Sequence, residues 1–230
     1  MFSKTTKAII ITLALILFSA ALIGCSRYYC NGHIMGNGNL KDYTFSHEGS
    51  IKKIEVNLPV TLNITSESNN EVTYSIEENL NDMLDIKYSN GVLKINGKHY
   101  RSFENKKDIT FNICSDTLEE IVIDGLATIN GTITAKTFKL KAFGDIKGEL
   151  TFNAKNVYIK ADGMADLTLS GKATEFNLNV MGEVKGEFTF DAERMNIKGD
   201  GMGKLTLFGK VTELNIDIMG EIKITNKTTK

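Results

Sequence analysis

The stretch Gly182–Asp200, GEVKGEFTFDAERMNIKGD, decides the fold, because Gly201 follows it at once and restarts the same pattern. Glycines stand at 125, 144, 163, 182, 201 and 220, always 19 residues apart. Counted from each of the first five glycines, apolar or small residues occupy offsets +2, +4, +6, +8 and +10, then +13, +15 and +17, and from Gly220 the pattern runs to Ile224. From Gly182 these are Val184, Gly186, Phe188, Phe190 and Ala192, then Met195, Ile197 and Gly199; from Gly144 they are Ile146, Gly148, Leu150, Phe152 and Ala154, then Val157, Ile159 and Ala161. Strict alternation is the mark of a strand with one buried face, and the three-residue step from +10 to +13 is a corner. Each unit therefore reads as two strands and two turns.

One such unit cannot bury its own apolar face. Identical units stacked about 4.8 Å apart with parallel pairing merge those faces into one core. The spacing thus predicts an all-β protein: a two-sheet parallel β-helix with 19-residue rungs over 125–226. Large and small residues alternate down the columns, as in Ile129, Gly148, Leu167, Gly186 and Leu205, which makes the packing unit two rungs, or 38 residues. The outward column Asn177, Asn196 and Asn215 is expected to form an amide ladder. The competing reading is an antiparallel meander, suggested by Asp-Gly at 124, 162 and 200 and Asn-Gly at 90 and 96. Parallel stacking is preferred because it alone makes residues 19 apart neighbours.

Ahead of the repeats, residues 45–124 alternate less regularly. Ile54 to Ile64 reads as one strand with Pro59 pointing outward, and Tyr74 to Ile95 as strands with a hairpin. Residues 25–44, rich in Gly, Asn and Tyr, read as a tether.

At the amino terminus, Lys4 and Lys7 precede an apolar run from Ala8 to Ile23, ending in Leu22-Ile23-Gly24-Cys25. Its 16 residues fall short of the roughly 20 that a spanning helix needs. Residues 1–24 are thus expected to be a lipoprotein signal peptide, with Cys25 acylated and holding the protein on a membrane surface in the bacterial envelope. Removing that segment takes away two lysines and no acid, leaving 25 basic against 28 acidic residues, or −3. With the basic residues scattered, no nucleic-acid partner is expected. The sequence leaves the pairing of Cys30 with Cys114 open.

The residues quoted so far resemble the bacterial family of putative auto-transporter adhesins with a head GIN domain. The carriers are Gly36-Asn37-Gly38-Asn39, Ile54 to Ile64, Asn90 to Ile95, Leu118 to Gly125, and the glycine turns followed by Asp145, Glu183 and Glu221. The likeness covers roughly residues 36–226 and implies a right-handed β-helix similar to pectin lyases, without their catalytic residues and with a role in adhesion. A homo-oligomer, a trimer above all, is also implied by it. The family writes its turns as serine, glycine, small residue, glycine, aspartate. Here they read Asp162-Gly163-Met164 and Met181-Gly182-Glu183, so the turn chemistry departs.

Residues flanking the turn glycines form a checkerboard. Asp124, Phe143, Asp162, Met181, Asp200 and Met219 precede them; Leu126, Asp145, Met164, Glu183, Met202 and Glu221 follow. Phe143, Met164, Met181, Met202 and Met219 are the candidate contact surface for a surface protein, a glycan or a sister subunit, unless those side chains fold over the turn and cover its neighbours. Calcium at the acids is disfavoured, since calcium-bound β-helices use a nine-residue repeat with paired glycines. No cofactor or metal is expected. The histidines, His33, His47 and His99, all precede the repeats and read as solvated. Without a Gly-x-Ser-x-Gly elbow, a His-Glu-x-x-His pair or a phosphate loop, no enzyme activity is expected. The remaining alternative is a carbohydrate-active or glycan-binding protein, marked by Tyr158 and Phe208 beside converging acids; no Trp is present to stack on a sugar.

Overall fold

The computed structural model describes residues 33–98 and 102–230, so the signal segment, Cys25, Cys30, the first part of the tether (25–32) and His99 lie outside the described residues. The fold is all-β, with 75% of the described residues in strands and a nearly closed, barrel-like sheet. In chain order the strands are β1 (Ile34–Met35), β2 (Leu40–Ser46), β3 (Lys53–Val56), β4 (Val60–Thr65), β5 (Glu71–Glu77), β6 (Leu84–Ser89), β7 (Val92–Gly97), β8 (Phe103–Glu104), β9 (Thr110–Cys114), β10 (Glu120–Ile123), β11 (Ala127–Ala142), β12 (Ile146–Phe208) and β13 (Val211–Asn226). Between β5 and β6 lies a short 3₁₀ helix, Glu78–Met83, which buries Leu80 and Met83.

Pairing across the glycine repeat is parallel. Ala127 partners Ile146, Leu140 partners Ile159, Asn196 partners Asn215 and Leu205 partners Ile224, each a shift of 19 residues. Within β12 the same shift appears in side-chain bonds: Thr151 meets Ser170 at 3.1 Å, and Asn196 donates to Asn177 at 2.8 Å. With Asn215 donating to Asn196 at 3.0 Å, the expected amide ladder is in place.

The glycines are the steric condition of this stacking. A Cβ on Gly144, Gly163, Gly182, Gly201 or Gly220 would come under 3.0 Å from the carbonyl oxygen of the glycine 19 residues earlier. Inside the stack, large and small residues share volume. The Phe152 and Phe190 rings lie 6.1 Å apart, 38 residues distant in sequence, and Gly171 is the residue of the intervening layer. Phe176 packs 4.5 Å from Phe190, and every phenylalanine of this group is fully buried.

The irregular half differs from its sequence reading in three places. Ile54 to Ile64 is two strands, β3 and β4, with Pro59 in the break, because a residue with fixed φ and no N–H interrupts a ladder. Leu40–Ser46, whose residues 40–44 are assigned above to the tether, is a strand pairing antiparallel with β5, its Tyr43 ring 5.5 Å from Tyr74. His47 is buried rather than solvated, and its Nδ1 donates to the Gly49 carbonyl at 2.9 Å; since a carbonyl only accepts, Nδ1 carries the proton. Its ring lies 4.8 Å from that of Tyr88.

The expected hairpin is β6–β7, closed by Asn90 (φ 52°) and Gly91 (φ 80°), the two left-handed residues that a type I′ turn requires. Antiparallel strands bound the sheet: its order runs β2, β5, β9, β4, β11, β10, β3, β7, β6, with β12 and β13 continuing from β11. On its outer face a line of ion pairs crosses four strands. Lys94 binds Glu55 at 2.8 Å, Lys53 binds Glu55 at 2.9 Å and Glu120 at 3.3 Å, and Lys141 binds Glu120 at 2.7 Å.

The irregular half is fastened from inside. Glu77 is fully buried, and its carboxylate accepts the amides of Gly38, Lys106 (2.8 Å) and Lys107 (3.3 Å). Burial alone would raise its pKa; the three amides and the Lys106 charge outweigh that and hold it below the ordinary value. A Cβ at Gly36 would fall on the Glu77 carboxylate, so a side chain there would push that carboxylate off its three amides.

Candidate contact edge and groove

Because each turn glycine lies against the one before it, the residues on either side of it form columns. Asp200 partners Met219 and Met202 partners Glu221 directly in the parallel register. The Met164 amide donates to Asp145 Oδ1 at 2.9 Å, which joins those two layers at the same edge. Acid and apolar side chains therefore alternate along each column and across the turn.

The five candidate contact residues are exposed. Phe143 is 51% exposed, Met164 46%, Met181 48%, Met202 61% and Met219 66%, and Leu126 joins them at 52%. Six layers about 4.8 Å apart make this a row of roughly 24 Å. Two of the acids are partly neutralised: Lys160 binds Asp162 at 2.7 Å, and Lys185 binds Glu183. Lys160 also lies 5.9 Å from the centre of the Phe143 ring. Asp162 Oδ1 is buried without a partner among the described residues.

Beside the row lies a groove of about 410 Å³. Thr110, Thr61, Thr128 and Lys147 are successive partners in the parallel register. Two residues before each of them stand Asp108, Pro59, Leu126 and Asp145, all of which line the groove, as does Met164 in the next layer. The groove thus runs lengthwise across layers, with the buried residues Val60, Ala127 and Ile146 among its walls. Asp108, Asp145 and Asp166 line it against the single base Lys147.

Sequence reasoning found Met164 and Asp145 but missed Pro59 and Asp108. No 19-residue spacing connects those two to the repeat; the long-range partners Val60 with Ala127 and Thr61 with Thr110 are what bring them there. No three His, Cys, Asp or Glu side chains among the described residues converge to hold a metal ion. No helix among them is long and apolar enough to cross a membrane. The two aromatic residues proposed as glycan markers are separate. Tyr158, 38% exposed, borders a hollow of about 230 Å³ lined by Lys139, Lys141, Lys160 and Lys198 rather than by acids. Phe208 is half-buried under Lys227, 5.2 Å from its ring centre.

Fold and edge together define a class: an all-β protein built of parallel, glycine-stacked layers that carries an exposed apolar and acidic row. The family described as putative auto-transporter adhesin, head GIN domain, matches residues 51–188, more than half of the chain, and the chain belongs to that family. Three solved structures share the fold. A putative adhesin from Bacteroides fragilis superposes with a TM-score of 0.61 at 14% identity, covering 84% of this chain and 99% of that one. A putative adhesin from Parabacteroides distasonis gives 0.52 at 14% identity over 84% and 99%. A putative lipid-binding protein from the same species gives 0.50 at 18% identity over 86% and 100%. No curated protein matches the chain.

Proposed function

We propose that this is a non-catalytic envelope protein, anchored through acyl chains on Cys25, that presents a rigid right-handed β-helix for adhesion or contact within the cell envelope. In this reading the 19-residue register continues through β12 as two-sheet rungs with a 38-residue packing unit. The observation that carries it is the aligned exposure of Leu126, Phe143, Met164, Met181, Met202 and Met219. Soluble surfaces rarely line up apolar side chains over such a length unless something covers them. Membership in an adhesin-described family supports the same reading and points to surface or envelope association.

The test is binding of the full chain, in mild detergent, to matrix-protein and glycan arrays, beside a Met164→Ser, Met181→Ser, Met202→Ser variant. Loss of binding in the variant, at an unchanged unfolding midpoint, is the expected result. Unchanged binding contradicts the contact edge. A second reading, binding of an acidic envelope glycan, is favoured by the four lysines around Tyr158. It predicts that acidic glycans alone are retained, and that Tyr158→Ala removes them.

A further inference from the structure

We propose that the groove and the edge take a polypeptide segment in the polyproline II conformation with a basic residue at every third position. This rests on the reading of the edge as a contact surface and adds the chemistry of its partner.

The partner is linear, because the groove runs along the stack from Asp108 to Met164 and opens onto the edge row. Five layers at about 4.8 Å make it roughly 19 Å long, enough for about six extended residues. It is cationic, since the groove offers Asp108, Asp145 and Asp166 against Lys147, and the row continues with Glu183, which Lys185 already shares, and Glu221.

Spacing then selects the conformation. From Asp145 the acids of one column recur at Glu183 and Glu221, every second layer, or about 9.6 Å. A polyproline II segment repeats a face every three residues, about 9.3 Å, so the mismatch is only about 0.3 Å per repeat. A β-strand repeats a face about every 6.8 Å and loses register by the second acid. An α-helix repeats at about 10.5 Å over seven residues and is roughly 10 Å wide. Met164 and Met202 lie between the acids, where flexible thioethers suit the rings of a proline-rich segment. Such a segment is ordered before it binds, so less conformational entropy opposes docking.

The experiment uses the full chain in mild detergent and labelled peptides followed by fluorescence anisotropy. The peptides are (Pro-Pro-Lys)₆, a scramble of equal composition with the lysines in one block, a strand-forming (Thr-Lys)₉, an alanine-based helix with lysine at every seventh position, and (Pro-Pro-Glu)₆. The account expects (Pro-Pro-Lys)₆ to bind at least about tenfold tighter than any of the others. Asp145→Asn with Glu183→Gln is expected to weaken it about tenfold, given what two exposed ion pairs contribute. Equal binding by the scramble, or no change in that double variant at an unchanged unfolding midpoint, overturns the proposal. If the array partner is still lost in the triple methionine variant while (Pro-Pro-Lys)₆ does not bind, the contact edge stands and this inference fails.

Discussion

The carbonyl oxygen of Gly182 lies so close to the α-carbon of Gly201 that no side chain fits between them. Gly201 also has φ +149°, a backbone conformation that side-chain-bearing residues rarely adopt. Both facts tie the 19-residue period to a physical cause: the turn of each layer rests on the turn beneath it.

Gly201→Ala is therefore expected to destabilise the protein by about 2 to 5 kcal/mol, combining left-handed strain with a forced backbone shift. Gly38 supplies the comparison, since it has φ +83° but nothing within 4 Å of an added Cβ. Gly38→Ala should cost only the strain, about 1 to 2 kcal/mol. Urea unfolding midpoints of the two variants check the ordering.

In the amide ladder Asn196 sits in the middle, donating to Asn177 and accepting from Asn215. Asn196→Ala removes both bonds and should cost about 1 to 3 kcal/mol, at about 0.5 to 1.5 kcal/mol for each bond. Asn215→Ala, at the end of the ladder and more exposed, should cost less. Chemical denaturation of both variants reads the difference.

Glu77 predicts the acid limb of stability. Its folded pKa lies below the ordinary glutamate value, so its contribution is fully present above the unfolded pKa of about 4.3 and is lost as pH falls through the lower, folded value. The native protein should lose stability below about pH 4.3, and Glu77→Gln should be weaker at neutral pH with a flatter acid limb. Thermal unfolding of both proteins at pH 3 to 7 tests this. Equal slopes would remove Glu77 as a cause.

The repeat was legible because its constraints are local and recur: Val184, Phe188 and Ile197 announce an inward face, and the glycines announce where backbone must touch backbone. The Asn90-Gly91 turn was legible for the same reason, as its two residues suffice to specify it. The head was not. Glu77 finds its amides at Gly38, Lys106 and Lys107, and His47 its Tyr88, through contacts that no periodicity encodes. Half of the candidate site was hidden likewise. Met164 and Asp145 belong to the period, but Asp108 and Pro59 reach the groove only because β9 and β4 pair in front of β11.

The most direct measurement concerns stacking within β12. In a variant with the native cysteines replaced, Asp162→Cys with Met181→Cys places two thiols in adjacent layers about 4.8 Å apart, inside the Cα separation a disulfide spans. Asp162→Cys with Asp200→Cys places them two layers apart, about 9.6 Å, beyond it. Rapid oxidative cross-linking of the first pair and none of the second is expected, read as a mobility shift reversed by reductant. Cross-linking of the second pair, or failure of the first in folded protein, would contradict the 19-residue stack on which the edge and its groove depend.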